Sequence, residues 1–351
     1  MYELLVIGDD PAGLATAARA ARQGLSVGLA SPSVDGLQSG PFLSDALRGL
    51  IPELAVDALR GGSHHRACSS GLFTSADLRR LVIGRVEDAA AKRFEELRGV
   101  GVNIHVGQSR FLDEHTVEVA GTDTAEILRA DCIAVATGAA FANDLRTERL
   151  QGHVVNADQI LHGATVPGRL VVIGADPRGI EFAGLFAASG SKVLVVDGKM
   201  RLDPGNDADM DMLIDVSMAL GVGFRLGADV VGLDLTEKGS REYVNVHLDS
   251  GNRLVAERIL VAGRRIGRTR TLDLPAAGLV TDDCYRLWCD HQHRTWLPHI
   301  YGVGEVVGFA PRDLDIAAQA KTVVDAIVHT SKVPAPLGLR RNRSRAQLRV
   351  L

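Results

Sequence analysis

Gly8-Asp9-Asp10-Pro11-Ala12-Gly13 closes the apolar run Glu3 to Ile7 and opens the alanine-rich stretch Ala12 to Arg22. A short buried strand, a glycine turn and a helix read this way. Gly24 ends the helix and Leu25 to Ala30 supplies another apolar run, so residues 3–30 form one strand–helix–strand unit. The grammar recurs in the second half. Leu170 to Ile173 runs into Gly174-Ala175-Asp176-Pro177-Arg178-Gly179, a helix-like stretch follows from Ile180 to Ala188, Gly190 terminates it, and Lys192 to Val196 is the next strand.

A glycine turn between strand and helix can hold a pyrophosphate, because backbone N–H groups and the positive end of the helix dipole converge on one spot. In the G-x-G-x-x-G pattern the first glycine makes the turn, the second lets phosphate approach, and the third lets helix and strand pack. Here Gly8, Gly13, Gly174 and Gly179 keep the outer positions, while the middle ones are Asp10 and Asp176. A carboxylate about 4 Å from a phosphate charge costs roughly 4 kcal/mol at an effective dielectric near 20, about a thousandfold in affinity. The alternative needs no ligand: Asp10-Pro11 and Asp176-Pro177 each read as an N-cap followed by proline at the first helical position. An acid ending the second strand of such a unit bonds ribose hydroxyls and favours NAD over NADP. Asp197 fills that place in the second unit, and Ser31, with a single weaker bond to offer, in the first. Arg201 is close enough in sequence to accept a 2′-phosphate instead.

The fold class is therefore α/β, with two Rossmann-like three-layer dinucleotide-binding units. Between them, Thr116 to Val119 and Glu126 to Leu128 read as a hairpin, followed by a buried strand Cys132 to Ala136 that ends in Thr137-Gly138. Val244 to Leu248 and Leu254 to Val261 repeat that order and end in Gly263-Arg264-Arg265. Ile300 to Glu305 and a helix from Ile316 to His329 form the last ordered piece. From 333 to 351, prolines and five arginines predict a disordered basic tail.

The length of 351 residues suggests about two domains, and 46% hydrophobic with 23% charged residues fits a globular protein. A net charge of -4 predicts no nucleic-acid partner. No apolar run is long enough for a membrane span, and four scattered cysteines fit a reducing, cytoplasmic setting. Cys284 and Cys289 have C-x-x-x-x-C spacing, but on a strand they would be about 16 Å apart, beyond disulfide reach. His291, His293 and His299 lack a completing ligand set and read as surface-loop residues, so no metal is expected.

Gly8 to Gly13, Ala136-Thr137-Gly138, Gly174 to Glu181, Gly263 to Arg265 and Tyr301 to Glu305, in that order, resemble the two-dinucleotide-binding flavoprotein family of pyridine nucleotide-disulfide oxidoreductases. Arg110 to Thr116, and Pro298 to Tyr301 running on to Gly308, are similar to its soluble transhydrogenase branch. The resemblance implies an FAD domain of residues 1–151 and 267–332, with an NAD(P) domain inserted at 152–266. It puts Glu305 in the place of the family's aspartate that bonds the ribityl chain of FAD, with Gly304 among the cofactor-binding residues, and Glu181 beside the nicotinamide. Small dinucleotides are the implied partners. The family's dimerisation domain has no counterpart here, which makes dimerisation doubtful. Its redox disulfide would fall in Gly36 to Leu47, which contains no cysteine. Ser44-Asp45 resembles the family's Ser-Lys pair with the lysine replaced by an acid. Two functions follow: hydride transfer between NADPH or NADH and FAD without a disulfide, or a catalytically inactive relative acting as a nucleotide sensor or interaction protein.

Overall fold

The computed structural model describes residues 1–32, 40–62, 74–141, 150–161, 165–202, 208–239, 241–262, 265–308 and 316–332. Gly36 to Ser39, His64, His65, Cys68, Gly263, Arg264 and the tail 333–351 lie outside the described residues.

The chain opens with β1 (Tyr2–Ile7), α1 (Pro11–Arg22) and β2 (Val27–Ser31), followed by two long helices, α2 (Gly40–Leu59) and α3 (Ser75–Gly99). β3 (Asn103–Val106), β4 (Gln108–Asp113), β5 (Thr116–Ala120) and β6 (Ala125–Val135) complete this half, and β7 (Ala139–Phe141) leads out of it. The strands lie in the order β3-β2-β1-β6-β5-β4, parallel as far as β6 and antiparallel beyond it. The expected hairpin arm and buried strand are thus one strand. Residues Ala125 to Arg129 of β6 pair with β5, and Ala130 to Val135 pair with β1.

The second half contains β8 (Val154–Asn156), α4 (Ala157–Ile160), β9 (Arg169–Ile173), α5 (Pro177–Ala188), β10 (Lys192–Asp197), α6 (Ala208–Ala219) and β11 (Gly223–Leu226). It ends with β12 (Val230–Lys238), β13 (Arg241–Leu248), β14 (Arg253–Ala256) and β15 (Arg258–Val261). A parallel sheet β11-β10-β9-β15-β8 carries a separate antiparallel sheet β12-β13-β14. Here hairpin and strand do part company, because the chain breaks at Glu257, whose carboxylate accepts the Gly168 N–H at 2.9 Å.

β16 (Arg265–Gly267) returns antiparallel to β7, so the two connections run side by side. β17 (Ile300–Gly302) then adds to β6 in the first sheet, and α7 (Ile316–Lys332) lies against α1, with Arg19 3.8 Å from Asp325. The second sheet is therefore inserted in the first.

Each parallel sheet is the middle of three layers. In the first unit, Leu5, Ile7, Ile133 and Val135 pack with Phe111 and Val117 of the antiparallel layer. In the second, Val171 and Ile259 pack with Val244 and Val246. The helix-side core is continuous between the units, from Leu4 and Leu29 through Leu47 and Ile51 of α2 to Phe182 and Leu185 of α5. Among the described residues no helix is long and apolar enough to cross a membrane.

Candidate functional site: two glycine turns and a buried carboxylate

Both turns are built alike. Gly8 and Gly174 adopt φ of +102° and +108°, which a side chain would strain, and their amides donate to Ala30 and Val196 at the end of the neighbouring strand, at 2.7 and 2.8 Å. A Cβ on Gly13 or Gly179 would collide with Ala136 or with the Gly174 carbonyl, so helix and strand touch there. The outer glycines are thus required by the fold in each unit.

The middle positions diverge. Asp10 is 7% exposed and caps α1, its Oδ1 accepting the Ala12 N–H at 2.9 Å. Its carboxylate fills the space over Gly304, where any Cβ would collide with it, and its Oδ2 would be 3.2 Å from a Cβ on Gly138. The Asp10 amide donates to Ala136 at 3.1 Å. Beside it, Asp9 is buried, and desolvation raises its carboxyl above the ordinary range against the opposing pull of its own backbone, Arg268 and Ser31. Ser31, expected at a ribose, is fully buried, and its hydroxyl donates to Asp9 at 3.4 Å and to the Pro32 carbonyl at 3.2 Å. Glu305 is exposed, and the Gly304 amide donates to Gln319 at 2.9 Å. The Thr137 hydroxyl is buried without a hydrogen-bond partner among the described residues. The residues around this turn do not fit the diphosphate of FAD, because two carboxylates and a hydroxyl turned toward protein stand where the anion and ribose would go.

Asp176 occupies the N-cap of α5 but makes no side-chain cap bond, so the cap expectation holds for Asp10 and fails for Asp176. Its side chain, 38% exposed, turns outward and meets Lys199 Nζ at 2.6 Å. Asp197, at the end of β10, accepts the Ala175 N–H at 2.6 Å and the Lys199 N–H at 2.7 Å, fastening the turn to the segment after the strand. This turn leaves the first amides of α5 uncapped by its own aspartate and brings a cation to it. The residues fit a diphosphate with a ribose near Asp197.

Glu181 is fully buried where α5 meets α2. Ser44 Oγ donates to its Oε1, Arg48 Nε donates to the same atom at 3.0 Å, and Arg178 lies 3.2 Å from Oε2. Asp45 lies on α2, next to Ser44, and desolvation raises its carboxyl above the ordinary range, against the opposing pull of Arg93, Arg48 and Arg178. The acid at Asp45 is accompanied by Arg48, three positions further along the same helix. Sequence reasoning missed Arg48, Arg178 and Lys199. The signals were present in Arg178 and Glu181 at i, i+3, in Ser44 and Arg48 at i, i+4, and in Lys199 two residues past Asp197.

Among the described residues, Cys132, Cys284 and Cys289 take part in no disulfide. Burial pushes the Cys132 and Cys289 thiols up to about 11 and about 12. Cys284 to Cys289, expected to be a strand, is instead an irregular stretch that begins with a turn, in which Tyr285 has φ +56°. His293, expected on the surface, is buried, with Nδ1 3.0 Å from the Gly302 carbonyl, and His299 stacks on His115 at 4.1 Å. No group of metal-ligating side chains occurs among the described residues.

The chain matches the pyridine nucleotide-disulphide oxidoreductase family over residues 2–327. It is 32% identical over 320 residues to the soluble pyridine nucleotide transhydrogenase of Mycobacterium tuberculosis (strain ATCC 25177 / H37Ra), covering 88% of this chain and 66% of that one. To the corresponding protein of Vibrio vulnificus (strain YJ016) it is 28% identical over 338 residues, covering 93% and 70%. Among solved structures it resembles the Cu(II) complex of the HOCl-induced flavoprotein disulfide reductase RclA from Escherichia coli, with TM-score 0.66, 22% identity, and coverage of 93% and 71%. LpdA from Mycobacterium tuberculosis superposes with TM-score 0.64 at 22% identity, covering 96% and 74%.

Proposed function

We propose that this chain, which belongs to the pyridine nucleotide-disulphide oxidoreductase family, binds NAD(H) or NADP(H) through residues 152–266, at the turn of Gly174, Gly179, Asp197 and Lys199. The observation that carries this reading is the outward Asp176, paired with Lys199 beside an open helix N-terminus. The α5 amides would receive the diphosphate, and Asp197, already oriented by two backbone amides, would meet the adenosine ribose. The remaining unit, residues 1–151 and 267–332, would keep the architecture of a flavin domain with its anion site taken by Asp10. The function that follows is that of a pyridine-nucleotide sensor or interaction protein of transhydrogenase-like ancestry.

A second reading is transhydrogenase-like turnover, hydride passing between NADPH or NADH and FAD without a redox disulfide. The unpartnered Thr137 hydroxyl and the glycines at 138 and 304 favour it. When bound, FAD would supply the two-electron exchange. One preparation separates the readings. Purified protein is expected to be colourless, to stay so after incubation with FAD, and to bind NADH or NADPH in calorimetric titration. A flavin band that bleaches anaerobically with either nucleotide supports turnover instead. No binding of either nucleotide removes the first reading.

A further inference from the structure

We infer that Lys199 is the charge-compensating residue of the second turn, the group that lets a turn with aspartate at its middle position accept a diphosphate. The inference rests on the reading of that turn as a pyridine dinucleotide site. Three observations place Lys199 there. Its ammonium lies 2.6 Å from Asp176 Oδ1. Its own amide is held by Asp197 Oδ1 at 2.7 Å, and its carbonyl accepts the Gly227 N–H at 2.8 Å, so the backbone that carries the lysine is fixed on both sides. Asp176 makes no cap bond to α5, so its carboxylate is committed to the lysine rather than to the helix amides.

The consequence is electrostatic. A diphosphate at the α5 N-terminus would face a bare carboxylate if Lys199 were absent and a nearly neutral pair when it is present. Both side chains are more than a third exposed, so the pair adds little to folding, and its effect belongs to the binding of anions.

The test uses wild type, Lys199→Met, Asp176→Asn and the double variant, each titrated calorimetrically with NADH and with NADPH. Lys199→Met removes a positive charge, Asp176→Asn a negative one, and the double variant restores the wild-type net charge at the turn. Lys199→Met is expected to weaken both nucleotides about tenfold at low salt, with the difference shrinking as salt rises. Asp176→Asn is expected to tighten both. The double variant is expected to return to within about threefold of wild type, with thermal melting unchanged throughout. A Lys199→Met protein that binds like wild type overturns the inference and leaves the dinucleotide reading standing. So does a double variant as weak as Lys199→Met, which would show that Asp176 is not what the lysine offsets. Weakening confined to NADPH also overturns it, by moving the lysine to the 2′-phosphate. Absence of binding in all four proteins removes the dinucleotide reading itself, and the inference with it.

Discussion

The two glycine turns carry the same substitution, aspartate at the middle position followed by proline, and the fold gives the two aspartates opposite roles. Asp10 folds inward, caps its helix and lies over Gly304. Asp176 leaves its helix uncapped and reaches Lys199 in solvent. The surroundings decide. The first turn is closed from above by the chain that returns after the insertion, through β17 and Gly304, and the strand beside it ends in a buried serine. The second is flanked by the segment after β10, which offers a lysine. Residue type sets what a carboxylate can do, and the neighbouring strand end sets what it does.

The largest effect expected from this contrast is at Asp10. Asp10→Gly removes a carboxylate from the space over Gly304, and FAD affinity should rise by about a thousandfold, measured as retained flavin absorbance after reconstitution and gel filtration. Because glycine is itself tolerated at an N-cap, loss of the cap should lower stability by only about a few tenths of a kcal/mol, a small shift in the melting curve. Asp10→Asn separates charge from bulk, since it keeps an oxygen for the Ala12 amide. Asp176→Gly should change nucleotide affinity far less, because that carboxylate is exposed and already paired. Equal gains at both positions would break the comparison. A folded Asp10→Gly protein that still refuses FAD would show that Asp9 and Ser31 close the turn without it.

The turns and the strand that precedes each were legible because glycine at a tight turn and apolar runs of buried strand are local signals, whereas the insertion order was implied only by the family resemblance. The same locality explains what was not. The stripe Leu78, Val82, Val86, Ala90, Phe94 and Leu97 of α3 was open to a periodicity reading. α2 hides its period behind Pro52. The continuity of β6 across 129–130, against the break at Glu257, depends on which partner each strand meets. The fates of Asp10 and Asp176 depend on residues 304 and 199, one of them nearly three hundred positions away, and no single-sequence pattern contains that information. His293 was misplaced for the same reason: its burial comes from β17 folding back onto it.

The next effect concerns the place where the units meet. Glu181 grows from the helix that begins at the second turn, yet its partners Ser44 and Arg48 belong to the first unit. Removing one partner of a buried ion pair costs about 3–5 kcal/mol. Arg178 and Ser44 remain after Arg48→Ala, so a loss of about 2 kcal/mol is expected, read in chemical denaturation. Glu181→Gln keeps a carbonyl oxygen for Ser44 and Arg48 but turns an amide NH2 toward Arg178 and removes the anion both arginines share, so it should cost at least as much as Arg48→Ala in the same measurement. If Arg48→Ala instead leaves stability unchanged and alters only nucleotide binding, the cluster belongs to the site and not to the joint.

The smallest effect lies at the residue before Asp10, where the first turn has Asp9 and the second has Ala175. Burial raises the Asp9 carboxyl, so the folded state holds a proton more tightly than the unfolded chain does. Such a group costs stability as pH rises from the unfolded value of 3.8 through the higher folded one, and the full cost is present at neutral pH. Asp9→Asn keeps an oxygen for Ser31 and removes that cost. The melting temperature at pH 7 should therefore rise, and the gain over wild type should shrink as pH falls toward 4. The corresponding exchange in the second turn, Ala175→Asn, titrates nothing and should show no such pH-dependent difference. A gain at Asp9→Asn that is the same at pH 4 and pH 7 would mean that the buried charge is fully compensated by Arg268 and its own backbone, and that the first turn tolerates an anion better than its geometry implies.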